Sequence, residues 1–540
     1  MFKQYLLKSP LLLALLSGLL LSASFTSYLF WLSFISFVPL FLLVKQLFDR
    51  KISTLKFIQL NGLAFLLWNA LTTWWISLAS VGGSIMAIVA NSILMCMFFS
   101  ILFLLQKKYS KSVSLWWIIP FWISFEYLHY HWDLMWPWLC LGNVFAFAPW
   151  MVQWYELTGT SGGTLWILAS NILITQYIIN GFATQWLIKN VINILVIPII
   201  LSLSLLIYKS RALPNNFSNS LNVLIVQPNV DPYNDKFYIE PLIQVNAMYQ
   251  QIKPFLNDSI DVIVLPETFI TENIYEGSMF EMLQYPTIRY LYDSILMKYP
   301  TINIITGANT FKVYSDKDKI PATARQNSEG MFYDIFNTAL CFSKDTIQIF
   351  HKSKLVPGVE KMPYPEIFKP LENLAIDLGG TTGSLGQQDQ PSLLFVKNKI
   401  PVATIICYES VFSDFVSKFF KIGAKALFII TNDGWWGDTP GYYQHLMFGR
   451  LRSIENRTYI ARSANTGISA VIDPLGNILQ QTNYWTREHL IAKIPLQKNA
   501  SIYSHIGDII SPVNVLFLVL FLFRILFPIM RIISTQNNKN

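Results

Sequence analysis

The sequence predicts an α-helical membrane domain of about eight transmembrane helices joined to an extracytoplasmic α/β domain. Three observations support this division. The 540 residues are 53% hydrophobic and only 13% charged, with a mean hydropathy of +0.40, whereas soluble domains carry about 25% charged residues. Residues 1–210 hold 15 charged side chains and residues 211–540 hold 57. In the second part, short β-branched runs alternate with helical runs, which is typical of an α/β domain.

Composition and charge also exclude several classes of protein. The apolar content excludes intrinsic disorder, and four cysteines are too few for a disulfide-stapled scaffold. The net charge of +8 is compatible with nucleic acid or an anionic membrane as partner. It divides into +7 for residues 1–210 and +1 for the rest. Because the basic charge belongs to the apolar part, we predict no nucleic-acid partner.

Apolar runs of the length that a membrane requires occur at both ends of the chain. A hydrocarbon core of about 30 Å needs roughly 20 apolar residues as a helix. This predicts a transmembrane domain of seven helices over 1–210 and one C-terminal transmembrane helix over 509–530. The runs are 6–23, 28–44, 57–79, 85–105, 112–127, 162–179, 191–208 and 509–530. The first also resembles a signal peptide, but a second run follows almost at once and no clear cleavage site intervenes.

Positive charges predict the orientation of these helices. Lys and Arg in short loops mark the cytoplasmic side, and here they occupy every second loop. With the N-terminus inside, seven spans place residues 211–508 outside the cytoplasm, and the eighth returns the tail to the inside. The charges are Lys3, Lys8, Lys45, Arg50, Lys51, Lys56, Lys107, Lys108, Lys111 and Lys189.

An outward loop over 128–160 is dense in aromatic residues, among them Trp138. Such residues favour the membrane interface, so an aromatic belt that anchors helices is one interpretation. A surface that handles lipid is the other, and it makes Trp138 a candidate substrate contact.

The α/β domain is predicted over 221–500, after a polar linker at 212–220. Three of its strands end in reactive side chains: Glu267 follows 262–265, Lys352 follows 347–351, and Cys407 ends 402–407. Alone, each has an ordinary interpretation as a solvated carboxylate, a surface lysine or an inert buried thiol. Together they supply a base, a cation for an oxyanion and a nucleophile. Partial burial can raise the pKa of a carboxylate in such a position toward that of a useful base.

Several motifs around these residues resemble the nitrilase superfamily, specifically the membrane-bound apolipoprotein N-acyltransferases of bacteria. The resemblance covers nearly the whole chain. The motifs are Val226-Gln227-Pro228-Asn229, Leu265-Pro266-Glu267-Thr268, Asn337-Thr338-Ala339, Lys352-x-x-Leu355-Val356-Pro357, Ile406-Cys407-Tyr408-Glu409, Thr431-Asn432-Asp433-Gly434-Trp435-Trp436 and Arg462-Ser463-Ala464-Asn465-Thr466-Gly467.

The resemblance implies a nitrilase-like αββα sandwich with Glu267 as general base, Lys352 as oxyanion stabiliser and Cys407 as nucleophile. It makes Glu360 and Glu409 supporting acids, although ordinary loop carboxylates are the alternative. Phe237 and Trp435 become candidate substrate contacts.

Two segments depart from the family pattern. Pro357-Gly358-Val359-Glu360 replaces Pro-Phe-Gly-Glu, and Lys236-Phe237 stands near the position where the family commonly has Trp. The first departure bears on the placement of Glu360, and the second on the contact made by Phe237.

The reaction implied is transfer of an acyl chain from a phospholipid to the α-amine of diacylglyceryl-cysteine in apolipoproteins, through a thioester on Cys407. It implies the bacterial inner membrane, with the catalytic domain facing the periplasm. Cys407 is predicted to be a free thiol, and no metal or cofactor is predicted. The segment 356–391 is either a lid or a plain connecting loop. The alternatives are a membrane-tethered nitrilase-type amidase and, in another class, a transporter or scaffold with an inactive outer domain.

Overall fold

The structure, a computed structural model, describes residues 9–109, 114–181, 183–211, 213, 219–315, 319–362, 364, 384–397, 399–498 and 500–537. The chain forms two compact units. The first contains Met1–Trp74, Ser84–Leu206 and Asp508–Asn540, and the second contains Trp75–Gly83 and Ile207–Gly507. Most of the candidate lid over 356–391, namely 363 and 365–383, lies outside the described residues.

The chain before the linker is helical. Its α-helices are α1 Pro10–Ser24, α2 Val38–Phe48, α3 Thr54–Thr73, α4 Val81–Tyr109, α5 Ile118–His131, α6 Tyr155–Asn180, α7 Thr184–Leu187 and α8 Asn193–Arg211. Short 3₁₀ helices cover Phe30–Phe34, Trp74–Leu78, Leu115–Trp117, Pro137–Leu139, Leu141–Phe147 and Pro149–Met151, and a π-helix covers Ile188–Ile192.

Four helical stretches in the described part of the chain are long and apolar enough to cross a membrane, judged by length and composition. They are Phe30–Phe48, Val81–Tyr109, Tyr155–Asn180 and Thr184–Arg211. Pro10–Ser24 and Ile510–Arg524 are shorter apolar helices. The helical apolar region is thus present, while the total of about eight transmembrane helices stays a prediction.

In the first unit, polar side chains form hydrogen bonds with backbone groups that are shielded from water by apolar surroundings. Ser9 caps α1 by accepting from the Leu12 amide at 3.4 Å. Asn171 on α6 donates from Nδ2 to the Ser33 carbonyl and accepts from the Phe37 amide, both at 2.8 Å. Such interhelical hydrogen bonds hold apolar helices together.

The segment after α3 departs from the predicted span 57–79. The α-helix ends at Thr73, and Trp75–Gly83 belongs to the second unit. The ring centroid of Trp75 lies 4.7 Å from that of Trp436. A Cβ at Gly441 would lie 2.6 Å from the Trp75 ring, so this close approach requires glycine.

The second unit is built on two β-sheets. Strands β1 Ser220–Gln227, β2 Val262–Val264, β3 Ile270–Tyr275, β4 Asn303–Tyr314, β5 Arg325–Gln326, β6 Phe332–Phe342, β7 Ile347–His351 and β14 Glu488–Pro495 form the first. Strands β8 Leu394–Val396, β9 Ile400–Ile406, β10 Leu427–Thr431, β11 Ile460–Ala464, β12 Ala470–Ile472 and β13 Ile478–Gln481 form the second. Strand order is β14-β1-β2-β4-β6-β5 in the first sheet, with β3 on β4 and β7 on β6, and β13-β12-β11-β10-β9-β8 in the second.

Helices complete the layers of this unit. They are α9 Pro241–Ile252, α10 Met279–Met282, α11 Pro286–Leu291, α12 Ser413–Lys421, α13 Pro440–Asn456 and α14 Ile502–Ile506, with α15 Ile510–Asn537 following in the first unit. The two sheets pack through β1 and β11, α9 packs on β3, and α13 packs on β12. This layering confirms the predicted αββα sandwich.

The strand directions place two of the candidate catalytic residues, Glu267 and Lys352, at the same edge of the first sheet. Strands β1, β2 and β4 are mutually parallel, as are β9, β10 and β11. Strand β7 runs antiparallel to β6, which runs antiparallel to β4, so β7 points the same way as β2. The carboxyl ends of β2 and β7 therefore lie at one edge of the first sheet, and ligands of open α/β sheets usually bind at such an edge.

Local sequence explains where the predicted strands and helices of the second unit agree with the structure and where they differ from it. The strands predicted over 262–265, 347–351 and 402–407 each overlap an observed one, because β-branched runs are a strong local signal. The sequence over 279–298 predicts one continuous helix, but α10 ends at Met282, α11 begins at Pro286, and a π-helix follows over Tyr292–Leu296. Pro286 lacks the amide that a continuous helix needs, and it is tolerated only at a helix start.

Candidate active site

Cys407 stands on a sharp turn at the end of β9. Its φ of +50° lies in the left-handed region, which is uncommon for a residue other than glycine. It begins a short 3₁₀ helix, Cys407–Val411. Such strained conformations cluster at functional sites. The residue is partly exposed and its thiol is free.

Glu267 and Lys352 form a buried ion pair although 85 positions separate them in the sequence. Lys352 Nζ lies 2.9 Å from Glu267 Oε1. Asn337 on β6 donates from Nδ2 to the same oxygen at 2.8 Å, and the Asn432 amide donates to Oε2 at 3.1 Å. Glu267 is 6% exposed and Lys352 1%. The structure thus brings these two residues together, as the strand-end pattern predicts.

Burial and the charges around Cys407 shift the pKa values of its thiol and of Glu267. Burial raises the pKa of the Cys407 thiol well above its usual value, and the charge of Glu267 adds to this while Lys352 opposes it. Burial opposes ionisation of Glu267 too, but the charges of Lys352 and Lys236 and the hydrogen bonds hold its pKa below the usual value. At Glu267 ion pairing therefore outweighs desolvation. The resting site holds a thiol beside a carboxylate.

Glu360 lies beside Lys352 despite the altered loop sequence. Its Oε1 accepts from Lys352 Nζ at 2.8 Å and from Asn337 Nδ2 at 2.9 Å, and its Oε2 accepts from the Val356 amide at 2.8 Å. Gly358 provides the turn with a φ of +80°. Burial opposes the charge of Lys352, but Glu267 and Glu360 raise its pKa well above the usual value. Lys352 is thus held as a cation between two carboxylates.

Glu409 is fully buried and connects the segments that carry Lys352 and Cys407. Its Oε2 accepts from the Ile406 amide at 2.9 Å, and its Oε1 accepts from the Ser353 amide at 2.6 Å. Burial raises its pKa to about 7, against the hydrogen bonds from these amides. Glu409 therefore connects the backbone before Cys407 to the backbone after Lys352.

The aromatic candidates divide between the two units. In the second, the ring of Phe237 stacks on that of Trp435 at 6.4 Å and 17°, and Tyr233 meets Trp435 edge-on at 5.2 Å. In the first, Trp138 is 1% exposed and stacks on Trp136 at 5.9 Å. Their contact with substrate stays a prediction.

Sequence reasoning overlooked two polar residues of the site. Asn337, quoted only as part of a motif, donates to both Glu267 and Glu360. Lys236, noted only as a neighbour of Phe237, is 2% exposed and donates to the Glu267 carbonyl at 3.0 Å and to Thr268 Oγ1 at 2.6 Å. Burial lowers its pKa to about 8. An isolated lysine in a loop gives no local signal of burial, so the sequence alone could not find it.

Two family models match separate parts of the chain. Residues 17–173 match the family model of the apolipoprotein N-acyltransferase N-terminal domain, and residues 240–503 match that of carbon-nitrogen hydrolases. Curated proteins from Chlorobaculum tepidum and Geobacter metallireducens, both named apolipoprotein N-acyltransferase, are 28% and 26% identical to the chain. The alignments cover 94% of this chain and 95% of the first protein, and 93% and 92% for the second. Among solved structures, Saccharomyces cerevisiae Nit3 covers 56% of this chain and 95% of its own, at 14% identity and a TM-score of 0.37.

The α/β sandwich and the matched range 240–503 make the chain a member of the carbon-nitrogen hydrolase (nitrilase) superfamily. The N-terminal match and the similarity along nearly the whole chain narrow the assignment from the superfamily to one family. Within the superfamily, the chain belongs to the apolipoprotein N-acyltransferase family.

Proposed function

We propose that the chain transfers an acyl chain from a phospholipid to the N-terminal α-amine of diacylglyceryl-cysteine in apolipoproteins. The observation that carries this proposal is the similarity to named N-acyltransferases over both the helical region and the α/β domain. A nitrilase-type amidase acting on a small soluble amide leaves the matched helical region without a role.

In the first half-reaction Cys407 Sγ attacks the carbonyl carbon of the phospholipid ester. Glu267, ionised at rest, accepts the thiol proton, since a base within the site is needed to form the thiolate. Lys352, a permanent cation, stabilises the oxygen of the tetrahedral intermediate. Glu267 then returns the proton to the departing glycerol oxygen. The products are a thioester on Cys407 and a lysophospholipid.

In the second half-reaction the lipoprotein α-amine attacks the thioester carbonyl. Glu267 accepts a proton from the amine, and Lys352 again stabilises the oxyanion. The C–S bond breaks, Cys407 leaves as thiolate and recovers its proton from Glu267, and the product is an amide. Glu360 and Glu409 are positioning residues in this scheme, the first holding Lys352 and the second connecting the two loops.

The helical region supports a location in the bacterial inner membrane with the catalytic domain facing the periplasm. Both substrates carry acyl chains, and withdrawing such chains from a bilayer costs about 0.8 kcal/mol for each CH₂ group. An enzyme anchored by transmembrane helices avoids that withdrawal. The distribution of Lys and Arg among the loops supports the orientation.

The test is incubation of the purified full-length enzyme with phospholipid alone, followed by intact mass measurement. We expect the mass of one acyl chain on the wild-type protein and none on Cys407→Ala. A diacylated lipopeptide should then discharge the thioester and gain the same mass. If the enzyme instead stays unmodified and releases ammonia from small amides, the amidase interpretation replaces this one.

A further inference from the structure

A lysine that takes no part in the two half-reactions above is buried beside the proposed general base. Lys236 lies in the segment of turns between β1 and α9, and it is 2% exposed. Its backbone amide donates to the Asp231 carbonyl at 2.8 Å, and its carbonyl accepts from Gln244 Nε2 on α9 at 2.8 Å. The backbone that carries this side chain is therefore fixed. An ammonium group is costly to withdraw from water unless acceptors and negative charges surround it.

The ammonium group of Lys236 binds the turn that carries Glu267. Nζ donates to the Glu267 carbonyl oxygen at 3.0 Å and to Thr268 Oγ1 at 2.6 Å. Thr268 has a φ of +46°, in the left-handed region that favours glycine. Such a conformation persists only where the surrounding structure holds it. Lys236 supplies two of the contacts that do so.

These two contacts are independent of the protonation state of the Glu267 side chain. Both acceptors are uncharged, and neither is an oxygen of the carboxylate. In the proposed reaction the carboxylate takes up the thiol proton, which weakens its attraction to Lys352 at 2.9 Å. The hydrogen bond from Lys236 to the backbone carbonyl persists in both states. It therefore holds the base in place throughout the reaction.

The charge of Lys236 also reaches the two groups that exchange the proton. Burial lowers the pKa of Lys236 to about 8, although the negative charges of Glu267 and Cys407 oppose this. The attraction is mutual, so the ammonium group favours the ionised form of each partner. Lys236 is charged at pH 7 and has lost most of its charge by pH 9.5. Other ionisable side chains around these groups are Lys352, Glu360, Glu409, Asp433, His445 and Arg462.

We propose that Lys236 is a positioning residue of the catalytic site, whose ammonium group holds the Glu267–Thr268 turn and whose positive charge acts on Glu267 and Cys407. The inference deepens the proposed function, on which its kinetic test rests. In the proposed reaction Lys352 stabilises the reacting oxygen directly. Lys236 acts instead through the backbone of the turn and through its charge.

Alkylation of Cys407 by iodoacetamide tests the charge of Lys236 without phospholipid. The reagent attacks the thiolate, so its rate follows the thiolate fraction. Intact mass measurement of the purified full-length enzyme gives this rate, and Cys407→Ala gives the background from the three buried cysteines. At pH 7 we expect Lys236→Met to react about 10-fold more slowly than the wild type, because an opposite charge near the thiolate is lost. At pH 9.5 this ratio should fall below about two, because Lys236 of the wild type is then largely uncharged.

Two further variants complete the alkylation experiment. Lys253→Met, at an exposed position of the same unit, is the matched control and should react as the wild type at both pH values. Lys236→Gln removes the charge but keeps an N–H donor, and we expect the same change of ratio with pH. Circular dichroism reports the folding of each variant. A purely structural disturbance changes the rate by one factor at both pH values, and that result overturns the proposal.

A kinetic test reports the positioning of the base. At pH 7 we expect single-turnover thioester formation to fall about 10- to 100-fold in Lys236→Met, the range for losing a hydrogen bond from a charged donor. The phospholipid concentration at half-saturation should stay unchanged, because Lys236 does not touch the substrate. Wild-type rates in folded Lys236→Met would show that the turn keeps its place without the ammonium group, which contradicts the inference.

The two proposals fail separately. If the wild type forms no thioester with phospholipid, the proposed acyl transfer fails. Alkylation of Cys407 needs no phospholipid, so its dependence on pH still decides whether the charge of Lys236 acts on the site.

Discussion

At the residue scale, the surrounding charges and burial favour a protonated Cys407 thiol and an ionised Glu267 carboxylate. Lys352 sits between Glu267 and Glu360, at 2.9 and 2.8 Å. This pairing keeps Glu267 ionised in a place where burial alone would protonate it. A carboxylate of this kind is a weak base that stays ionised and can accept the thiol proton in the proposed reaction.

The charge of Glu267 predicts the acid limit of the reaction. A carboxyl whose pKa lies below its ordinary value of 4.5 is more than half ionised at any pH above 4.5. We therefore expect protonation of Glu267 to cost less than half of the single-turnover rate of thioester formation above that pH. Intact mass measurement at timed intervals gives the rate, with circular dichroism at each pH as the control for folding. A rate that has halved above pH 5 in folded enzyme contradicts this.

Removing the proposed base, Glu267, should slow both half-reactions. We expect Glu267→Gln to form thioester about 10²- to 10⁴-fold more slowly, the usual contribution of a general base, with unchanged binding of phospholipid. Glu329→Gln, at an exposed position, is the matched control and should react as wild type. Wild-type rates in Glu267→Gln would remove Glu267 from the mechanism.

At the scale of elements, Gly307 of strand β4 packs closely against the backbone of Glu267, the proposed general base. A Cβ at Gly307 would lie 2.3 Å from the Thr268 amide nitrogen and 2.5 Å from Glu267 Cα. Both are backbone atoms, which have little freedom to move aside. The turn after β2 is itself strained, since Thr268 has a φ of +46°. The absent side chain at 307 is therefore a requirement of the site.

Gly307→Ala should displace Glu267 and lower the rate of thioester formation about 10²-fold, as expected for a shift of roughly 1 Å in a catalytic group. Gly449→Ala is the matched control, because a Cβ there meets only flexible side-chain ends, Ile472 Cδ1 at 3.3 Å and Ile429 Cδ1 at 3.9 Å. Circular dichroism and the unfolding midpoint report folding of both variants. A Gly307→Ala enzyme as active as Gly449→Ala would show that the turn tolerates a Cβ.

At the scale of the whole molecule, the uneven charge predicts the orientation in the membrane. The first 210 residues carry +7, placed in alternate loops, and the remainder carries +1. We therefore attribute the basic charge to the predicted topology, and it gives no reason to expect a nucleic-acid ligand.

A membrane-impermeant thiol reagent tests this orientation. In a Cys407→Ala background, we expect Asn219→Cys to be labelled in intact spheroplasts and Lys108→Cys only after lysis. Both positions are exposed, so access depends on the membrane alone. Labelling of Asn219→Cys only after lysis would reverse the predicted topology.

Sequence by itself determined the division into an apolar helical region and an α/β domain, and it identified the three strand-end residues Glu267, Lys352 and Cys407. These features are local, since apolar runs, β-branched runs and short motifs are each contained in a few neighbouring residues. The family resemblance added Glu360 and Glu409 in the same way.

Only the tertiary structure decided the electrostatics of the site. The pKa of Glu267 moves down because Lys352, 85 residues away, lies 2.9 Å from it. Lys236 becomes a buried cation, and His445 meets the Cys407 carbonyl across 38 positions. Burial and charge at a point depend on every element that packs around it, and strand order in a folded sheet is not written in any local stretch of sequence.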